Sequence, residues 1–270
     1  MNDQVSARVA PPSATRRAGE WWHPRRHAGL LSVLAGLTLW ELASRLLINN
    51  ALFLSAPSQI VEAIVRLAGS GELWHHLWVS GREFVIGYVL ASVLGIFLGL
   101  ALAGNEIRRA ALQPWVSGLY ATPTIALAPL FILWTGIGIW SKVLVVMSLV
   151  IFPVAINTEA GLRTTSARLI EMLRSFGATR RQIFLKLSLP SAIPFILAGL
   201  KLGIGRGLIG VVVGELFGAR AGLGQLITQS AEAFDMPDLF AGVVVLAVAG
   251  IGLTACFSWI ERRAVPWTQD

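Results

Sequence analysis

Six apolar stretches constrain this chain more than any other feature in it. They lie at 28–48, 83–103, 115–134, 142–158, 193–213 and 239–260 of the 270 residues. Each comes close to the ~20 residues a helix needs to cross the hydrocarbon core of a bilayer. The composition agrees: 55% of residues are hydrophobic and 14% charged, against ~25% charged in a soluble domain. So few charges cannot cover a water-facing surface. The fold class is therefore all-α, a polytopic membrane protein with six transmembrane helices. A soluble single-domain enzyme, a disordered chain and a disulfide scaffold are excluded. Cys256 is the sole cysteine and has no partner for an internal bridge.

Charge placement sets the orientation. With the N-terminus inside, the basic residues of 8–26, Arg108, Arg109, those of 161–190, and Arg262 and Arg263 all face the cytoplasm, fifteen of the 22 Lys and Arg. Arg45, Arg66, Arg82, Lys142 and Arg220 remain on or near the outer side, and Lys201 and Arg206 fall within a span. This asymmetry follows the positive-inside rule, with both termini cytoplasmic. It also accounts for a pI of about 10.7 without nucleic acid. Trp115 and Trp259 then sit at the inner interface, Trp134 and Trp140 at the outer one. Residues 1–27 read as a basic cytoplasmic tail with no cleavable signal peptide. Residues 28–263 form the transmembrane domain, and 264–270 a second tail. Pro123 and Pro129 interrupt the third span, and Pro153 lies late in the fourth. Residues 58–68 predict a short amphipathic helix with Ser58 as its cap.

The cytoplasmic segment 161–190 is too patterned for a plain connector. Leu169, Ile170, Leu173 and Phe176, then Ile183, Phe184 and Leu187, follow helical spacing, and Gly177 stands between the sets as a stop. Two short helices joined by a turn are expected. Their apolar stripe needs a cover, either the chain's own membrane helices or a cytoplasmic subunit.

Within that segment, Glu171-Met172-Leu173, then Gly177, then Leu187-Ser188-Leu189-Pro190 resemble the EAA loop of permease subunits of ABC importers of type I fold. Met172 and Leu173 replace the pattern's alanines and Leu187 its isoleucine. Ser70-Gly71-Glu72-Leu73-Trp74, residues 132–137, Phe152-Pro153 with Asn157-Thr158, and Glu215 with Gly222-Leu223-Gly224 are similar to the nitrate/sulfonate/taurine branch. The resemblance covers about 30–263. It implies a second copy of the permease, two cytoplasmic ATP-binding subunits and an extracytoplasmic substrate-binding protein. Glu171, Arg174, Gly177, Ala178, Leu189 and Pro190 would couple to the ATPase. No cofactor is implied for this chain, since ATP and Mg would belong to the ATPase. The chain itself lacks a GxxxxGK[ST] phosphate loop, so ATP hydrolysis is expected of a partner and the chain is expected to be a non-catalytic membrane subunit, not an enzyme.

Other signals are weighed on their residues. Gly205-Arg206-Gly207-Leu208-Ile209-Gly210 fits a dinucleotide string, but no strand precedes it. Gly199, Gly203 and Gly207, like Gly95 and Gly99, are spaced for close helix packing, within one subunit or between two. A cation at the bilayer centre costs roughly 2.5–3.5 kcal/mol on the insertion scale, so Lys201 and Arg206 should face protein or water. They are expected to line a pathway for an anion, to form a structural pair (Glu41 being the partner for one of them), or to snorkel toward an interface. Glu215 and Asn157 are further pathway candidates, Glu215 near the outer mouth. His23, His27, His75 and His76 lie without a ligand set, so no metal is expected. The function read from this is import of a small, anionic solute of the aliphatic sulfonate, taurine or nitrate type. The alternatives are the same permease class carrying bicarbonate or a thiamine-precursor pyrimidine, or a proton- or sodium-coupled secondary carrier using Lys201, Arg206 and Glu41.

Overall fold

The computed structural model describes residues 24–48 and 54–265. Most of the expected N-terminal tail, and residues 266–270 of the C-terminal one, lie outside the described residues. The described residues form helices joined by short turns, with no strand among them.

In chain order the helices are α1 (Pro24–Leu42, continued by a π-turn Ala43–Ile48), α2 (Pro57–Gly69), α3 (Glu72–Gly104), α4 (Glu106–Ala121), α5 (Ala128–Thr135), α6 (Ile139–Arg163), α7 (Ala167–Ser175), α8 (Arg180–Ile183), α9 (Leu189–Leu216), α10 (Leu223–Glu232) and α11 (Met236–Ala264). Among the described residues, four helices are long and apolar enough to cross a membrane: α3, α6, the continuous run from α8 through α9, and α11. The pair α4–α5 makes a fifth if it is one broken span, bent by 84°. The expected six are thus not all met. The first expected span is helical, but the 19 residues of α1 include Arg25, Arg26 and Glu41.

Three departures have local causes. The third span breaks because Pro123 has no N–H and holds Thr122 extended, at φ −71° and ψ 135°. The chain then restarts as a 3-10 turn, Thr124–Leu127, ahead of α5. The second short helix of the 161–190 segment does not stand apart. It runs through a π-turn, Phe184–Ser188, into α9, making one helix of 37 residues. The wider turn sits directly before Pro190, whose ring would crowd the carbonyl four residues back in a regular helix. Helix α2 opens at Pro57 behind an extended Ala56, so Ser58 is not its cap.

The bundle is organised around α6, 61% of whose most apolar window is buried, against 11% for α11. Helix α6 is tightly packed because its neighbours present glycines. A Cβ on Gly87, Gly95 or Gly99 of α3 would strike Val146, Val154 or Thr158. A Cβ on Gly199, Gly203, Gly207, Gly210 or Gly214 of α9 would approach Asn157, Val150 or Tyr88, Phe84, Val146 and Lys142 within about the same range. The order of these contacts makes α3 parallel and α9 antiparallel to α6. Both small-residue faces therefore lie within one chain, which resolves the open choice above. Without a hydrophobic drive between helices in lipid, such close backbone approach supplies the packing. The core of the bundle is Phe84, Ala91, Val146, Val150, Val154, Ile204 and Val211. A second cluster, from Ile60, Ala63, Leu67, Leu73, Leu223, Leu226 and Ala241, ties α2 and α10 to the far end.

Candidate functional site

Three places carry chemistry, at the two ends of the bundle and at its middle. Helix α7 connects α6 to the α8–α9 run, so it marks one end. Its termination is a Schellman motif: the Gly177 amide donates to the Arg174 carbonyl at 2.9 Å and the Ala178 amide to the Leu173 carbonyl at 3.0 Å. Gly177 is left-handed at φ +79°, and a Cβ there would meet nothing within 4 Å. The requirement for glycine is therefore one of backbone conformation alone. Thr179 then caps α8, accepting from the Gln182 amide at 3.3 Å while Gln182 Oε1 accepts from the Thr179 amide at 2.8 Å. No residue of α7 is buried. Leu169, Met172 and Phe176 are exposed, Phe176 at 81%, and Glu171 and Arg174 lie exposed beside them. Leu189 and Pro190 are half-buried at the root of α9.

At mid-depth, a cavity of about 190 Å³ is lined by Tyr120, Thr122, Pro123, Thr124, Ile125, Ser148, Leu149, Phe152 and Arg206. The break between α4 and α5 creates it, because the chain turns aside there instead of filling the space against α6. Tyr120 and Phe152 stand tilted at 58° with centroids 6.2 Å apart. Ser148 and Thr122 direct their hydroxyls to the backbone oxygens of Val145 and Gly118. Among the described residues Arg206 is the only cation lining the cavity, and it is exposed. It makes no ion pair among the described residues.

Lys201 has a different environment. Its ammonium lies 3.1 Å from Glu261 of α11. Glu41, the partner expected from the sequence, instead binds Arg45 at 2.5 Å and accepts from the Ser58 amide at 3.1 Å and hydroxyl at 2.8 Å. A carboxylate four residues before an arginine on one helix satisfies it locally, so Glu41 does not reach either cation of α9. Asn157 is half-buried at the α6–α9 crossing and donates to the Pro153 carbonyl at 2.8 Å.

Glu215 lies at the end opposite α7, fully buried at 0% exposure. It accepts from the Ser80 hydroxyl at 2.5 Å and from the Gly224 amide at 2.5 Å. Ser80 Oγ in turn accepts from the Leu223 amide at 2.7 Å, and His76 Nδ1 from the Gly222 amide at 2.9 Å. Three consecutive amides at the start of α10 thus end on side chains of α3 and α9. This satisfies the donors that a buried helix start leaves free. Sequence reading weighed His76 only as a metal ligand and Lys142 only for sidedness, and it missed Ser80, Glu83 and the grouping of all four near Glu215. The available signal was charged residues standing at the outer edges of apolar runs, where burial is costly without a partner. Among the described residues no group of three His, Cys, Asp or Glu could hold a metal ion.

A model of binding-protein-dependent transport system inner membrane components matches residues 91–270. The chain is 37% identical over 231 residues to the formylaminopyrimidine transport permease protein of Halalkalibacterium halodurans, covering 86% of this chain and 92% of that one. It is 33% identical over 239 residues to the putative aliphatic sulfonates transport permease protein of Bacillus subtilis, covering 88% and 87%. The fold is similar to a chain of the MetNI methionine ABC transporter in an inward-facing conformation, with a TM-score of 0.56 at 22% identity over 80% of this chain and 100% of that one.

Proposed function

This chain belongs to the family of binding-protein-dependent transport system inner membrane components, and on that premise we propose that a small anionic solute crosses it beside Arg206. It is a non-catalytic permease subunit of an ABC importer, an inner-membrane component that works with a separate ATPase and a substrate-binding protein.

Two copies of the permease enclose the pathway, in the bacterial inner membrane with both termini cytoplasmic. Two ATP-binding subunits, carrying ATP and Mg, dock on the two α7 helices, and an extracytoplasmic binding protein delivers solute to the opposite end. What supports the docking is the uncovered apolar face of α7 at Leu169, Met172 and Phe176, beside Glu171, Arg174, Gly177 and Ala178. The α8–α9 run makes the lever stiff: one 37-residue helix leads from the turn at Gly177 past Leu189 and Pro190 to the cavity at Arg206. A push on α7 is therefore carried to the pathway without an intervening loop, as a change of access driven by contacts that differ between nucleotide states requires.

One observation carries the solute class. Arg206 presents a guanidinium to a mid-depth cavity with no carboxylate in its lining. An unpaired cation so placed in a span is held for something that arrives from outside the fold. The sulfonate-type relative accords with an anion. A second reading rests on Tyr120 and Phe152, whose rings line the same cavity and would flank a planar pyrimidine like that named for the other relative.

Uptake into proteoliposomes holding the whole importer tests the first reading. Arg206→Gln should lower ethanesulfonate uptake about tenfold, the effect of losing one charge-assisted hydrogen-bonding group. Uptake equal to wild type overturns it. Competition of an aminopyrimidine against ethanesulfonate, retained in Arg206→Gln and lost in Phe152→Ala, would favour the second.

A further inference from the structure

Glu83 of α3 and Glu215 of α9 are buried side by side, at 4% and 0% exposure. Their carboxyl groups are hydrogen-bonded to each other. An ionised carboxylate accepts hydrogen bonds and cannot donate one. Two ionised carboxylates in contact would have no hydrogen between them, only like charges removed from water. The bond therefore contains a proton, as it does wherever two adjacent buried acids share one.

The surrounding donors show which carboxyl carries it. Glu215 accepts from the Ser80 hydroxyl at 2.5 Å and from the Gly224 amide at 2.5 Å, and from the Gln225 amide. Three donors converging on one carboxyl favour its ionised form. Glu83 has no such set: among the described residues no amide, alcohol hydroxyl or ammonium donates to its buried Oε2. A protonated Glu83 supplies the missing hydrogen itself.

The charges agree. The Lys142 ammonium, 2% exposed, faces both acids from α6. It donates to the Gly218 carbonyl at 3.1 Å, and among the described residues no ion pair within 4.0 Å ties it to either acid. With one proton the two acids carry a single negative charge, which Lys142 balances. Without it, the buried group would hold an excess negative charge. Arg82 and Arg220 lie nearby but exposed, where water and salt screen them. His76 accepts from the Gly222 amide through Nδ1, so that nitrogen bears no proton and adds no charge.

We propose that a proton is a built-in ligand of this end of the bundle, resident on Glu83 and donated to Glu215, where it clamps α3 to α9 and to the start of α10. The clamp is mechanical as well as electrostatic. Glu215 holds the amides of Gly224 and Gln225 in the first turn of α10, and Ser80, which donates to Glu215, accepts from the Leu223 amide at 2.7 Å. One O–H bond from Glu83 thus completes a network joining three helices. The ligand is a proton and not the solute, so the proposal stands whether or not Arg206 lines the pathway.

Infrared difference spectra of the full-length permease with its ATPase in nanodiscs, at neutral pH, read this proton directly. Wild type minus Glu83→Gln should show the carbonyl stretch of a protonated carboxyl, shifted to lower frequency in heavy water. Wild type minus Glu41→Gln should show none, because Glu41 is held ionised by Arg45 and Ser58. Thermal unfolding reads the clamp. Glu83→Gln replaces the acid's O–H by an amide N–H and keeps the charge balance, so its unfolding temperature should stay close to wild type. Glu83→Leu cannot donate and should unfold several degrees lower, or fail to assemble. Absence of the protonated-carboxyl band, its survival in Glu83→Gln, or failure of Glu83→Gln to assemble overturns the proposal. So does an unfolding temperature for Glu83→Gln as low as for Glu83→Leu.

Discussion

The Glu215 carboxylate occupies the space where a side chain on Gly222 would begin. A Cβ built on Gly222 collides with it, and one on Gly224 would lie 2.9 Å from Glu215 Oε2. The same carboxylate takes the Gly224 amide. Glycine in this turn thus serves the approach of a buried acid to a helix start, and Gly222 also adopts φ +130°, which side chains oppose.

Gly222→Ala should therefore destabilise the far end of the bundle, by roughly 2–4 kcal/mol from the clash and the backbone strain together. The thermal unfolding temperature of the detergent-solubilised protein should fall by several degrees. Gly205→Ala, whose Cβ would meet nothing within 4 Å, should leave it unchanged. Equal behaviour of the two variants would contradict the packing described.

At the other end, Gly177→Val should insert normally yet separate ATP turnover from transport. The left-handed turn costs a non-glycine residue roughly 1–2 kcal/mol, and no neighbour would be displaced. Gly177→Asn should retain most coupling, since asparagine tolerates that conformation better. The ratio of solute imported to ATP hydrolysed in proteoliposomes gives the answer. A ratio as high for Val as for wild type would refute the role of the turn.

Lys201 and Glu261 form an ion pair across α9 and α11, with side chains 38% and 31% exposed. Lys201→Gln should reduce stability by roughly 1 kcal/mol without changing which anions are carried. The double variant Lys201→Gln/Glu261→Gln should recover the loss, because neither charge is then left alone. A change in anion selectivity in the single variant would move Lys201 into the pathway.

Arg109 donates to Glu159 at 2.8 Å, joining α4 to the C-terminal end of α6. The Glu159 side chain is 9% exposed and that of Arg109 41%. Arg109→Ala should cost roughly 1–2 kcal/mol, mostly from stranding a buried carboxylate. Pairing it with Glu159→Gln should restore the unfolding temperature. If the double variant is no better than Arg109→Ala, the two residues act independently.

Much of this organisation was legible in the sequence because it repeats with the helical period. The amphipathic helix after residue 56, the stop at Gly177 and the glycine spacings of α3 and α9 all appear as patterns in a single segment. Ser58 misled because a serine near a helix start is a good cap in isolation, whereas Pro57 claims the first helical position and Glu41, from another helix, claims the serine. Glu41 misled in the same way as a partner for Lys201: the nearest candidate by chemistry was satisfied within its own helix and by Ser58. Glu83 and Lys142 gave no periodic signal. Each stands at the rim of an apolar run, and only the parallel packing of α3 on α6 brings them to one cavity.

By itself the chain fixed its solvent, most of its helices and the glycine faces along which they pack, since each depends on residues within about two turns of one another. Which buried charges meet, which side chains of other helices line the space left by the break at Pro123, and which amides Glu215 and His76 satisfy were decided by tertiary structure. Those outcomes depend on distances between residues of different helices, as far apart in sequence as His76 and Gly222, and on whether a burial cost in one helix is offset by a donor from another.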